Sequence, residues 1–287
     1  MRWAAAGLVV LTFGCTAPAP PQVQRYPLTG QLLGVQLDTG QILVRHEAIP
    51  GYMDAMTMPF TVADRTLIRD RRPGDLITAT LVVGAEQSRL EDLQLIGRAP
   101  LGDAAPAPPV ADGLHILAPG DPAPDTRLTT HRGATVALPD WRGAAVAVTF
   151  IYTRCPLPDF CPLLDRRFAA IQAAAAEDPV LRGKVRLLSV SFDPDADTPA
   201  VLAAHAEGLD AGADWHFATA PRADSDRFAA RFGVNVIREA DGSITHNLRT
   251  AVVAPDGRIA VLRSGNDWSA EDLLADLRQA LTGAATR

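Results

Sequence analysis

The sequence predicts an α/β domain preceded by a small all-β domain, and three observations carry that prediction. Residues 25–97 contain only short alternating runs separated by turn signals. Residues 144–152 form an unbroken apolar run that passes through two cysteines into an alanine-rich helical pattern. Between these halves, residues 99–112 read Ala-Pro-Leu-Gly-Asp-Ala-Ala-Pro-Ala-Pro-Pro-Val-Ala-Asp, the composition of a linker.

Length and composition agree with two domains. A chain of 287 residues is long for one, and 47% hydrophobic content suffices for two cores. With 21% charged residues, a net charge of −6 and no basic face, nucleic acid is excluded as a partner class. Twenty-three prolines against three cysteines speak for proline-rich connections rather than a disulfide-stapled scaffold.

The N-terminus accounts for the first cysteine. Met1-Arg2 is a short positive start, residues 3–13 are apolar, and Gly14-Cys15 precedes Thr-Ala-Pro-Ala-Pro-Pro. The apolar run is well short of the roughly 20 residues that cross a bilayer, so residues 1–15 read as an export signal. The small residue before Cys15 resembles a bacterial lipoprotein cleavage box, although Phe13 stands where a small residue is usual. That resemblance implies lipidation of Cys15 and a protein on the periplasmic side of a bacterial membrane, where thiols meet oxidising machinery.

Residues 16–24 read as a tether and 25–98 as the small β domain. Strands are expected at 32–35, 41–45, 60–62, 76–83 and 90–96, with turns at 38–40, 73–74 and Gly84. Five short strands at this spacing suggest a barrel-like sheet.

The second domain, 113–287, opens with strands at 135–138 and 144–152, the latter apolar enough to be buried on both faces. A helix follows over 162–176 with proline in its first turn, then a strand at 185–192. Helices are predicted from Thr198-Pro199 to about Glu207 and over 225–232. A hairpin joins 250–254 to 258–263 across Pro255-Asp-Gly257, and Ser269, with Asp272 three places on, caps the last helix. This order of strands and helices is that of a thioredoxin-like α/β fold.

Apart from the initiator, every methionine lies between Met53 and Met58, in the run His46-Glu-Ala-Ile-Pro-Gly-Tyr-Met53-Asp-Ala-Met56-Thr-Met58-Pro-Phe60. On a strand, Met56 and Met58 share one face, and His46 on the preceding strand can oppose them. Thioethers with an imidazole suit Cu(I). The Ala-Met-Thr-Met-Pro-Phe run with its upstream histidine resembles the small periplasmic copper-binding protein of the Cus efflux system. That resemblance implies His46, Met56 and Met58 as copper ligands. The family's tryptophan, three residues before the first methionine, is here Met53, so either Met53 completes the site or Tyr52 shields it.

Cys155 follows the buried strand and Cys161 precedes the helix proline. A thiol at a helix N-terminus feels the macrodipole and free N–H groups, so Cys161 is expected to have a lowered pKa, with Arg154 adding to the field. Thiolate either binds a soft metal or attacks a disulfide, and spacing alone does not choose between these.

Thr-Arg-Cys-Pro, the second Cys-Pro before a helix, Ser-Phe-Asp-Pro-Asp-Ala-Asp-Thr-Pro at 191–199, and Thr245-His246-Asn247 together are similar to the Sco/SenC family. The resemblance implies a thioredoxin-like copper protein with Cys155, Cys161 and His246 as ligands of Cu(I) or Cu(II), and Asp193 as a residue that supports the ligands from behind or organises the adjacent loop. Where the family has three residues between its cysteines, this chain has five.

The resemblances imply a copper metallochaperone rather than an enzyme, supplying the CuA centre of cytochrome c oxidase. Its expected partners are oxidase subunit II or another cuproprotein, a thiol reductant for Cys155 and Cys161, and the membrane through a lipid anchor. A thiol-disulfide oxidoreductase or redox sensor acting on CuA cysteines, and copper sequestration for tolerance, are the alternatives.

Overall fold

The computed structural model describes residues 23–37, 40–84, 87–101, 115–238 and 244–283. Cys15, the export signal and most of the Pro/Ala linker lie outside the described residues.

The first sheet contains β1 (Gln24–Gln36), β2 (Gln41–His46), β3 (Met56–Thr61), β4 (Asp75–Val83) and β5 (Ser88–Arg98), ordered β3-β2-β1-β4-β5. All its pairings are antiparallel, and β1 alternates buried and half-exposed residues through its centre. β1 and β2 approach so closely at Gly30 that a Cβ there would lie 2.6 Å from Val44 and 2.7 Å from the Arg45 carbonyl. Only glycine fits that position. The barrel expectation needs correction on one point: the edge strands meet through a single bridge, Val62 to Leu90, with Ala63 N–H donating to the Leu90 carbonyl. A short β3 cannot supply a full ladder to β5, so the sheet curls without closing.

The second sheet is built from β6 (Leu128–Thr130), β7 (Thr135–Val136), β8 (Ala145–Ile151), β9 (Val185–Ser191), β10 (Trp215–Thr219), β13 (Arg249–Val253) and β14 (Ile259–Ser264). Their order is β14-β13-β8-β9-β10-β6-β7, with β8, β9 and β10 parallel. β11 (Val236–Arg238) and β12 (Ile244–His246) make a separate two-stranded ribbon. Every residue of β8 is buried, as an apolar run flanked by strands on both sides requires.

Four α-helices cover this sheet: α1 (Cys161–Glu177), α2 (Pro199–Gly208), α3 (Arg222–Arg231) and α4 (Ala270–Thr282). Pro162 stands in the first turn of α1, Thr198 caps α2 by accepting from Val201 N–H, and Ser269 and Asp272 form the capping box of α4. α3 begins before Ser225, at Arg222. The 255–257 turn joins β13 to β14, with Gly257 at φ 83° and Ala254 N–H donating to Arg258. The cysteines therefore lie at the carboxyl end of β8, in the crevice where open α/β sheets gather their functional groups.

Apolar residues of both sheets, including Met58 and Phe60 from the first and Leu157 and Phe160 from the second, belong to one contiguous buried cluster.

Candidate metal centre

The two cysteines come together because β8 ends at Ile151 and α1 starts at Cys161, with a tight turn between them. Asp197 organises that turn. It is fully buried and accepts from Thr153 N–H at 3.1 Å, from the Thr153 hydroxyl at 2.5 Å and from the Ser191 hydroxyl at 2.6 Å. Asp193, expected to support the ligands or organise the loop, pairs with Arg154 beside Cys155 at 2.7 Å. Because Thr198 serves as the α2 cap, Asp197 is free to turn inward. Arg154 is correspondingly occupied by a carboxylate rather than aimed at the thiols.

Both cysteines are free thiols, Cys161 buried and Cys155 half-buried. The helix N-terminus acts on the thiol that was not expected. Burial pushes the Cys155 thiol up, but hydrogen bonds from the Cys161 thiol and the Cys161 backbone N–H outweigh it and bring Cys155 below its ordinary value. Cys161 rises well above its ordinary value, through burial, through donation of its proton to Cys155, and through the nearby Cys155 and Asp165 charges. The free N–H at the start of α1 points at the sulfur six residues earlier in the chain, so of the two thiols Cys155 is the one that loses its proton more readily.

His246 ends β12 and is 8% exposed. Its ring contacts Phe192 at 4.5 Å, Tyr152 at 5.7 Å and Phe160 at 6.5 Å between centroids. Tyr152 also hydrogen-bonds Cys155, so one aromatic wall serves both residues. Burial depresses the His246 pKa to about 4, which leaves a neutral imidazole with a lone pair at pH 7. Its Nδ1 faces the Asn247 carbonyl at 3.2 Å, which as a donor would leave Nε2 as the basic nitrogen. Among the described residues, no group of three or more His, Cys, Asp or Glu side chains stands in metal-holding geometry. The fold thus pairs the thiols and sets His246 against the wall they share.

In the small sheet, the cross-strand pairing sets His46 directly opposite Met56, and Val44 opposite Met58. Met58 is buried and Met56 half-buried. Met53 is buried in the loop before β3, which folds back on itself, with Ile49 N–H donating to the Met53 carbonyl at 2.8 Å and Met53 N–H to the Ile49 carbonyl at 3.1 Å. His46 is 2% exposed, Nδ1 lies 2.7 Å from the Glu47 carbonyl, and Nε2 is buried with no hydrogen-bond partner. Burial lowers its pKa, which favours a neutral ring with a lone pair, on a strand position paired with Met56 and with Phe60 edge-on at 5.6 Å. A buried polar atom left without a partner costs about 1–3 kcal/mol unless something else binds it. This donor set fits a soft monovalent ion.

Tyr52 stacks on Tyr26 at 4.5 Å and donates its hydroxyl to the Pro156 carbonyl at 3.0 Å, reaching the loop between the cysteines. Ser88 donates to Asp159 of the same loop at 2.7 Å. These links, and one between Thr245 and the Thr57 carbonyl, carried no signal in the sequence.

The fold and site define a thioredoxin-like protein with a thiol pair at the carboxyl end of its parallel strands and a small β domain in front. Residues 120–282 match the SCO1/SenC family model, and residues 25–95 match the model of copper binding periplasmic protein CusF. The chain belongs to the SCO1/SenC family. Among solved structures, BsSco, described as having a disulfide switch and as a member of the Sco family of cytochrome c oxidase assembly proteins, is 23% identical. The match covers 58% of this chain and 98% of BsSco, with a TM-score of 0.50. Copper-bound ScoI of Arabidopsis thaliana is 19% identical over 58% of this chain and 99% of its own, with a TM-score of 0.49. Copper-bound ScoI of Bradyrhizobium japonicum is 23% identical over 57% of this chain and 99% of its own, with a TM-score of 0.46. No curated protein matches the chain.

Proposed function

We propose that this chain is an extracytoplasmic copper metallochaperone with two copper sites, lipid-anchored through Cys15, that supplies the CuA centre of cytochrome c oxidase. The observation that carries the reading is the buried, unpartnered Nε2 of His46 opposite Met56. A structural histidine would spend that nitrogen on a protein acceptor or donor. A ligand keeps it free. In this reading His46, Met53, Met56 and Met58 hold Cu(I), and their thioethers cannot be lost to disulfide formation in an oxidising compartment.

Cys155, Cys161 and His246 form the second site. His246 is neutral and needs no deprotonation before copper arrives, and Cys155 loses its proton more readily than an ordinary thiol. Membership of the SCO1/SenC family and the CusF-like match support copper as cargo. The oxidase as client is supported by the description of BsSco. Holding both sites in one chain raises the local concentration of one near the other to about millimolar, which favours internal transfer. The test is Cu(I) transfer from the loaded isolated small domain to the isolated thiol domain, followed by gel filtration and metal analysis. Movement of copper supports the relay, and retention by the donor rules it out.

The same thiol pair favours one rival reading. A half-buried low-pKa cysteine beside a buried high-pKa one is the attacking and resolving pair of a thiol-disulfide oxidoreductase. His246 separates the two, because disulfide exchange does not need it. If His246→Ala keeps full copper affinity and oxidase assembly while Cys155→Ser abolishes assembly, the oxidoreductase reading replaces the chaperone.

A further inference from the structure

We infer that the loop between the two cysteines is the docking surface for the small β domain, and that docking closes over the thiol pair and sets its accessibility. The inference deepens the reading above and rests on the thiol pair being its working centre, whichever chemistry that pair performs.

The five-residue loop supplies three of the contacts that docking uses. The Pro156 carbonyl accepts from Tyr52 Oη at 3.0 Å, and Asp159 Oδ1 accepts from Ser88 Oγ at 2.7 Å. Leu157 is fully buried in the apolar cluster that spans both sheets. From the other side, Asn266 Nδ2 donates to the Asp159 carbonyl at 2.5 Å and holds the loop to the thioredoxin-like domain. Pro156 and Pro158 stiffen it, so the loop presents these groups in a fixed array. A three-residue loop would lack two of the positions that now make the surface.

Position then determines consequence. Pro156 adjoins Cys155, and Phe160 adjoins Cys161 and packs against His246. Burial raises the Tyr52 pKa, with smaller contributions from Asp159, Tyr26 and Cys155, which places its hydroxyl in the electrostatic neighbourhood of the loop and of the Cys155 sulfur. On the far flank, Thr245 bonds the strand that carries Met56 and Met58. Contacts on both sides of the thiol crevice therefore belong to one interface, and any rearrangement of the cysteines moves the groups that fasten it. Coupling of this kind is reciprocal: what binds the thiols alters docking, and docking alters access to the thiols.

Asp159 is the weak point on which docking can be tested. It is 8% exposed, burial raises its pKa, and the Ser88 hydroxyl, with the Ser88 and Asp159 backbone N–H groups, hydrogen-bonds its carboxylate. Ser88→Asp places a like charge against it, whereas Ser88→Thr keeps the hydroxyl. The experiment is the alkylation rate of Cys155 by iodoacetamide in the reduced, metal-free full-length chain, taken on the pH plateau where the thiolate fraction no longer varies. Ser88→Asp is expected to react roughly tenfold faster than wild type, the equivalent of one lost buried hydrogen bond, and Ser88→Thr to stay within about twofold. Near-UV circular dichroism confirms that each variant is folded. If Ser88→Asp unfolds the chain, Tyr52→Phe, which removes only the bond to Pro156, is judged by the same rate. A folded variant that reacts at the wild-type rate overturns the inference. Copper stoichiometry in the wild type, measured separately, tests the metal reading and leaves the alkylation result independent of it.

Discussion

The Thr245 hydroxyl donates to the Thr57 carbonyl, so the residue before His246 is bonded to the residue between Met56 and Met58. The two motifs lie 188 positions apart in the chain, yet β12 and β3 pack directly against each other. The proposed copper path therefore has neighbouring ends, on the same face as the contacts that fasten the small domain to the cysteine loop.

His46 is expected to be dispensable for folding and required for metal. Because Nε2 is already unpartnered, His46→Leu replaces an unsatisfied polar group by an apolar one of similar bulk. Apo stability in urea should change by no more than about 1 kcal/mol, while the small-domain copper is lost. A loss of several kcal/mol would mark His46 as structural.

The thiols should differ in reactivity. Since Cys155 is lowered and Cys161 raised, brief alkylation at neutral pH followed by peptide mass mapping should label Cys155 first. Cys161→Ala removes the thiol donor to the Cys155 sulfur and should raise the Cys155 pKa, read from the pH profile of the same reaction.

Asp197 and Asp193 should separate sharply. Asp197→Ala strands Thr153 N–H and the Ser191 hydroxyl in the interior and should cost about 3 kcal/mol. Asp193→Ala removes a pairing with an arginine that is 61% exposed and should cost no more than about 1 kcal/mol. Equal losses in chemical denaturation would contradict the assignment of Asp197 as the turn's organiser.

His216 makes stability fall on acidification. Burial, with Arg132 and His131 nearby, depresses its pKa from 6.5 to about 4, and its ring stacks on Trp141 at 5.0 Å. With a depressed folded pKa, the unfolded chain binds the extra proton first. The contribution is therefore complete above pH 6.5 and lost as pH falls towards 4. His216→Phe, which keeps the stack, should flatten the fall by on the order of 2 kcal/mol across that window. Parallel pH profiles for the two proteins would count against it.

Much of this was legible in the sequence, for local reasons. The buried run before Cys155 marks a central strand, and Thr198, Pro162 and Ser269 mark helix starts because capping is a matter of three or four consecutive residues. That Met56 and Met58 lie on a strand which His46 can oppose follows from strand period, although a long loop joins β2 to β3. What escaped has no local signature. β6, β11 and β12 are three residues each, too short for any period to register. Which cysteine loses its proton more readily depends on where one backbone N–H points. Ser88 and Asp159 are 71 positions apart and Thr57 and Thr245 are 188 apart, with nothing in either segment to announce the partner.

The central claim is that the two motifs are separate copper sites in one chain, and metal analysis with X-ray absorption at the copper edge tests it most directly. Wild type should bind one copper per motif, with both thioether/imidazole and thiolate/imidazole ligation. Cys155→Ser with Cys161→Ser should remove only the thiolate-bound copper, and His46→Leu with Met56→Leu only the other. A wild type that binds no copper, or motif variants that keep the full complement, would contradict the account.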